Sequence, residues 1–315
     1  MMRTHFRRMP KALIAAAGTL CLSTALHAQT APAAAPTYTL QYKFTPGQVL
    51  HYAVQAETTG TTTMGSMNMP MNDSTSMQIN EAIQNVRPSD GAATILVTLS
   101  DMKITVNGQP VNMPADAMAG MNQGYTIVET PAGNILSMQA PQTPGMGAMG
   151  PMAGMSSNSI QSLSEMSVLP GHPVAIGDEW SSAVKLSEMG MAMSVNMTLQ
   201  SVAPDSTGDT IATVAGKYIA DTSGARHAPT PMPMKTDMQT SGTGTFQFDL
   251  TKGVLRGGNS DLAMTMTMTP AANSNRAGMG PIKSNFHVTT MITLVNTTTA
   301  PAQGSAPTQG TAPAH

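Results

Sequence analysis

The sequence predicts a mainly β protein, built as one large curved antiparallel meander (a half-barrel or open barrel) with one or two short helices. Three features predict it. Apolar and polar residues alternate with a period of two through successive runs. Turn residues, chiefly Pro, Gly, Asn and Asp, separate those runs. Successive runs lie close together in the chain, which favours sequential antiparallel pairing over βαβ crossovers. Two β-sandwich-like halves, 37–140 and 180–296, joined by a connector over 141–179, satisfy the same pattern.

After a flexible Ala/Pro spacer over 29–36, Tyr38, Leu40, Tyr42 and Phe44 face one way and Thr37, Thr39, Gln41 and Lys43 the other, which predicts a half-buried strand. Pro46-Gly47 turns the chain into a second strand with Leu50, Tyr52, Val54 and Ala56 on its apolar face. A third strand is expected near Met77 to Val86, ending at Pro88-Ser89-Asp90-Gly91. Ala93 to Val106 follows, and Asn107-Gly108 after it is the strongest hairpin signal in the chain. Another hairpin is expected from Tyr125 to Leu136 around Pro131-Ala132-Gly133. The connector begins as a Met/Gly/Pro segment, with a short helix over Ser159 to Val168. Beyond it, strands are expected near Ala183 to Leu186, Met191 to Val202 and Thr210 to Ile219. Phe246 to Leu250 then turns at Lys252-Gly253 into a run through Leu262, Met264, Met266 and Met268, and Phe286 to Leu294 makes a last strand. The tail over 297–315, rich in Ala, Pro, Gly and Thr, reads as disordered.

Charge and cysteine use place the chain outside the cytoplasm. Arg3, Arg7, Arg8 and Lys11 precede the apolar run Ala12 to Leu26, and Leu26-His27-Ala28 offers a cleavage point before Gln29. That is the layout of a cleavable signal peptide over 1–28, and it predicts a secreted or periplasmic protein. Removing it takes four of the 15 basic residues, leaving eleven against 17 acidic ones, a net charge of −6. An acidic chain without a basic stripe is not expected to bind nucleic acid. The single cysteine, Cys21, lies within the signal peptide, so disulfides and thiolate chemistry are not expected of the mature protein. No other segment approaches the ~18 apolar residues of a transmembrane helix.

Methionine dominates the candidate chemistry, at 30 residues against five each of Phe and Tyr. Met189, Met191, Met193 and Met197 share one strand face, and Met264, Met266 and Met268 share another. Unbranched, polarisable thioethers repack around varied apolar guests, so these faces read either as core or as the lining of a lipid-binding concavity. Met64, Met67, Met69 and Met71, with Met146, Met149, Met152 and Met155, form clusters expected in loops. Closely spaced thioethers in a chain without thiols suit Cu(I), which makes copper the candidate metal. Methionines two apart on one strand are ~7 Å apart, too far to share an ion unless a neighbouring strand contributes. No other cofactor is implied, and no catalytic motif or paired-carboxylate arrangement appears. His51 and His287 fall on polar strand faces, and the histidines do not cluster, so an enzyme is not expected.

Two motifs carry a resemblance. Tyr42-Lys-Phe-Thr-Pro-Gly47 followed by Tyr52, and Leu169-Pro170 through Val174-Ala-Ile-Gly177-Asp178-Glu-Trp180, resemble an uncharacterised family of secreted bacterial proteins. In that family a Pro, Val, Gly-Asp, Trp segment lies between β-rich halves; the resemblance implies no activity. The predicted meander is also similar in architecture to half-barrel periplasmic lipoprotein carriers, which hold acyl chains in a concave sheet. The expectation is therefore an exported, non-enzymatic protein that binds an apolar ligand or lipid in a methionine-lined sheet, or alternatively a periplasmic Cu(I)-binding protein.

Overall fold

A computed structural model describes residues 35–112, 124–139, 169–186, 191–221, 234–270 and 280–299, with backbone only at 184–186, 191–193, 221, 234–236 and 270. The expected signal peptide and the expected short helix at 159–168 lie outside the described residues. Among the described residues there are strands and turns but no helix.

The expected open meander forms, all of it antiparallel. From one edge to the other it runs β7 (Ile135–Gln139), β6 (Tyr125–Glu129), β4 (Ala93–Val106), β3 (Met67–Val86), β2 (Gln48–Met64), β14 (Ile282–Thr299), β13 (Val254–Pro270), β12 (Met234–Asp249), β11 (Thr210–Asp221), β10 (Met191–Pro204) and β9 (Glu179–Leu186). The short strand β5 (Gln109–Pro110) adds to β4, giving twelve strands. The edges β7 and β9 do not pair with each other, so the sheet stays open. At its centre β2 pairs with β14 along nearly their whole lengths, from Gln48↔Thr299 to Met64↔Ile282. The sequence halves are thus two arms of one continuous sheet, with the first and last long strands side by side. A separate two-stranded ribbon joins β1 (Thr37–Tyr38) to β8 (Val174–Ala175).

Local chemistry explains the turns. Asn107 and Gly108 sit at φ 50° and 76°, the left-handed pair that a type I′ hairpin requires. Asp178 is held by its own neighbourhood: its carboxylate accepts the Ala175 N–H at 2.8 Å, and its carbonyl accepts from Leu199 N–H at 3.1 Å. Gly177 donates to Leu199 O at 2.8 Å. The Gly-Asp pair therefore clips the connector onto β10 and delivers Trp180 to the start of β9, where it packs against the core.

Side chains facing inward form two clusters at one end of the sheet. One gathers Leu40, Val174, Val195, Met197, Leu199, Val214, Tyr218 and Phe248. The other gathers Leu50, Tyr52, Val54, Ile79, Ile83, Ile95, Val97, Leu99, Tyr125 and Ile127. The chain from Tyr38 to Phe44 crosses them both. Its alternation is as expected, with Leu40 buried and Thr39 and Gln41 exposed, but only Thr37–Tyr38 makes a ladder. The rest is anchored singly, by Tyr42 N–H to Pro131 O at 2.7 Å and Lys43 N–H to Gly253 O at 3.0 Å. Tyr42 stacks on Phe44 and meets Phe248 edge-on.

Three glycines inside strands lie opposite aromatic residues, and a Cβ on them would meet a ring at Gly258 and the neighbouring backbone at Gly60 and Gly242. Gly60 lies opposite Phe286, Gly242 opposite Tyr218 and Gly258 opposite Phe246. A Cβ on Gly258 would stand 2.5 Å from the Phe246 ring, and one on Gly242 would stand 2.1 Å from Asp261 O. Each ring thus has a registered partner without a side chain, a pairing that stabilises glycine in a sheet.

Two expectations are corrected. Met64 to Met71 do not lie in a loop. β2 and β3 run on past Ala56 and Met77, where the apolar alternation ends, because an unbroken ladder and the two-residue turn Gly65-Ser66 carry them. Thr297, Thr298 and Thr299, read as the start of a disordered tail, are strand residues that pair with Leu50, Val49 and Gln48.

Candidate functional site

Directly opposed residues in an antiparallel ladder share a face, and so do residues two apart on one strand. These rules assemble one surface from five adjacent strands. Its outermost row is Met67, Met64, Ile282 and Met268; the next is Met69, Thr62, Ser284, Met266 and Met238; the third is Met71, Gly60, Phe286, Met264 and Thr240. Followed along β2, the same face becomes Val54, Tyr52 and Leu50 in the core, so it is the inner face. Eight methionines meet there, none of them in either packed cluster. Across five strands the surface measures about 19 Å, four spacings of ~4.8 Å.

Exposure grades across it. Met67 and Met69 at the hairpin tip are 54% and 45% exposed, whereas Met264, Met266 and Met268 are half-buried and Met238 is buried. The short residues between them, Ser284 and Thr240, are buried, as expected where long flexible side chains spread over short ones. Thr62 and Ser284 satisfy each other by a hydroxyl pair at 3.0 Å.

The sequence-predicted residues distribute as follows. Met264, Met266 and Met268 come together with Met64, Met67, Met69 and Met71, two groups that the sequence read as unrelated. Met197 is instead core, 2% exposed and opposite Trp180. Met191 and Met193 hold register positions on β10, opposite Leu186 and Val184. Met189, Met146, Met149, Met152 and Met155 lie outside the described residues. His51 is hydrogen-bonded to Asn80 at 2.6 Å and Thr298 at 3.0 Å, and His287 to Asp261 at 2.7 Å.

A second feature lies at the packed end. Glu81 and Glu129 line a cavity of about 60 Å³ together with Tyr42, Lys43, Phe44, Tyr52 and Gly253. That volume admits a few water molecules and no lipid chain. Among the described residues no side-chain hydrogen bond reaches either carboxyl, and Glu129 is only 7% exposed. Burial pushes Glu81 up to about 7. Burial, reinforced by the Glu81 charge, pushes Glu129 up to about 8. Burial and the same two carboxyls hold the Tyr52 phenol well above its usual range. Here the expectation of no paired carboxylates fails. The signal was present as parity: Glu81 falls in step with Ile79 and Ile83, and Glu129 with Tyr125 and Ile127.

A third cluster is structural. Arg256 reaches Asp205 at 3.2 Å, Asp249 at 3.5 Å and Asp209 at 3.7 Å, while Lys252 pairs with Asp209. Asp249 is fully buried and also accepts the Lys252 N–H at 2.8 Å. The Asp205–Asp209 turn is folded on itself by Thr207 and Asp209 N–H bonds to Asp205. The network ties that turn to the β12–β13 turn; among the described residues no group of three acidic, His or Cys side chains is set to hold a metal.

Comparison with known families finds a family of unknown function (DUF6263) matching residues 153–255. The match spans Leu169 to Trp180 and agrees with the resemblance to a family without an assigned activity. Comparison with functionally described proteins finds no match. Among solved structures the chain is similar to the COG4313 outer membrane channel from Pseudomonas putida F1, with 7% identity over 80% of this chain and 97% of that one, at a TM-score of 0.20. It is similar also to a DUF1329 family protein from Desulfovibrio piger ATCC 29098, with 10% identity over 83% and 88% of the two chains, at a TM-score of 0.17. At such TM-scores neither superposition carries functional meaning. Among the described residues no helix is long and apolar enough to cross a membrane, which says nothing of membrane β-barrels.

Proposed function

We propose that the protein is an exported, non-enzymatic binding protein that lays an apolar chain, such as a fatty acyl chain, along the methionine face of its sheet. One observation carries this reading. Four of five adjacent strands contribute eight methionines to a single inner face that continues past both packed clusters. A face serving only as core would be expected to carry branched residues with few rotamers, as the packed end does with Ile79, Ile83, Ile95 and Val97. Methionine instead adapts to guests of varied shape, the use it has at promiscuous binding surfaces. The signal-peptide layout supports export, and the small volume beside Glu81 and Glu129 argues that an acyl chain would bind on the open face.

The test uses the mature protein and a variant with Met264→Gln, Met266→Gln and Met268→Gln. Organic extracts of the purified proteins are analysed by mass spectrometry, and a fluorescent fatty-acid analogue is titrated into each. The expected result is saturable binding that weakens at least tenfold in the variant. Failure of the wild-type protein either to retain an apolar molecule or to bind the analogue saturably would sink the proposal.

A further inference from the structure

We propose that the tip of the β2–β3 hairpin is a soft-metal site, in which the thioethers of Met64, Met67 and Met69 hold one Cu(I) ion. Register makes the argument. The turn Gly65-Ser66, with Gly65 at φ 60° in the first central position, sets Met64 directly opposite Met67. Opposed residues have Cβ atoms about 5 Å apart, and the diagonal neighbour, here Met69 relative to Met64, stays within reach of a long side chain. The parity of β3 puts Met67 and Met69 on one face, and the pairing puts Met64 on the same one. Three sulfurs from two strands can therefore converge, which methionines on one strand alone cannot do.

Four further observations favour a metal at this tip over packing. Burial accounts for Met264, Met266 and Met268 but not for Met67 and Met69, which stay about half exposed on the most projecting part of the face. The tip from Thr61 to Asn72 contains no Asp, Glu, His or Cys, so hard cations have no charged anchor there and its soft donors are thioethers alone. The next carboxylate along β3, Asp73, accepts the Asn107 N–H at 3.1 Å. The other opposed methionine pair, Met238 and Met266, differs in having Met238 buried, out of reach of an arriving ion.

The experiment is an anaerobic titration of the mature protein with Cu(I), against a chromogenic Cu(I) chelator, compared with the variant Met64→Leu, Met67→Leu and Met69→Leu. Leucine conserves volume and apolarity, so the hairpin is retained, which circular dichroism checks. The variant is expected to lose one Cu(I) equivalent. The wild-type affinity of that equivalent is expected to stay constant between pH 5 and 8, because thioethers do not titrate there. Unchanged stoichiometry and affinity in a folded variant would overturn the proposal. So would an affinity that falls with acid, since it would assign the ion to histidine or carboxylate. Acyl-chain binding to the same face is read by a different probe with Met264, Met266 and Met268 altered, so failure of the one reading is distinguishable from failure of the other.

Discussion

Replacing Glu129 with glutamine is expected to remove most of the protein's loss of stability with rising pH. In the folded chain burial raises Glu129 to about 8, against an ordinary value of 4.5. The unfolded chain releases its proton near that ordinary value, so between the two pH values the folded state holds more protons. Stability then declines as pH rises. The contribution of the neutral acid is complete below about pH 4.5 and is lost as pH climbs through about 8. Each pKa unit is worth ~1.4 kcal/mol, so the full shift corresponds to roughly 4–5 kcal/mol. For a domain of this size that is on the order of 10 °C in Tm. Glutamine matches the shape of a protonated carboxyl and does not ionise. The two proteins should therefore melt together at pH 5 and diverge by about 10 °C at pH 8.5, with the variant the more stable. Thermal melts by circular dichroism across that range decide it. Parallel curves would refute the reasoning, because they would mean that Glu129 ionises without penalty.

Two further perturbations probe the frame. Gly242→Ala places a Cβ against the Asp261 carbonyl and should cost about 3 kcal/mol or more, whereas Gly65→Ala, with open space around it, should cost about 1 kcal/mol from its left-handed φ alone. Chemical denaturation of both variants checks the ranking. Arg256→Met leaves the buried Asp249 with its nearest guanidinium gone and should cost about 3 kcal/mol. Denaturant midpoints would show it, and a shift below ~0.5 kcal/mol would mean that Lys252 and the backbone alone satisfy that carboxylate.

Much of the fold was legible because a strand that buries one face must alternate, and turns need residues that tolerate their backbone angles. Ala93–Val106 with Asn107-Gly108 is the clearest case: both strand and hairpin are where composition puts them. The extension of β2 and β3 to Met64 and Met67 was not legible, because Thr58 to Asn72 lacks apolar alternation and is held by its ladder partners. The pairing of β2 with β14 was equally hidden, since nothing local at Tyr52 points to Leu294. For the same reason the sequence listed the methionines of β3 and β13 in separate groups. Only the ladder of β3, β2, β14 and β13 makes them neighbours. Glu81 and Glu129 are legible as parity violations only against the rule that charge in a strand faces water.

The central pairing of β2 with β14 also fixes when this protein can finish folding. Each arm can grow outward by adjacent hairpins, but the contact that unites them joins Gln48 to Thr299, a closure over almost all of the described residues. Such non-local pairing is slow and comes late. Until Ile282–Thr299 has emerged from synthesis, β2 and β13 both present bare edges and the inner face has no continuous floor. β14, the described strand furthest along the chain, is the keystone, and the two arms stay separate until it pairs on both sides.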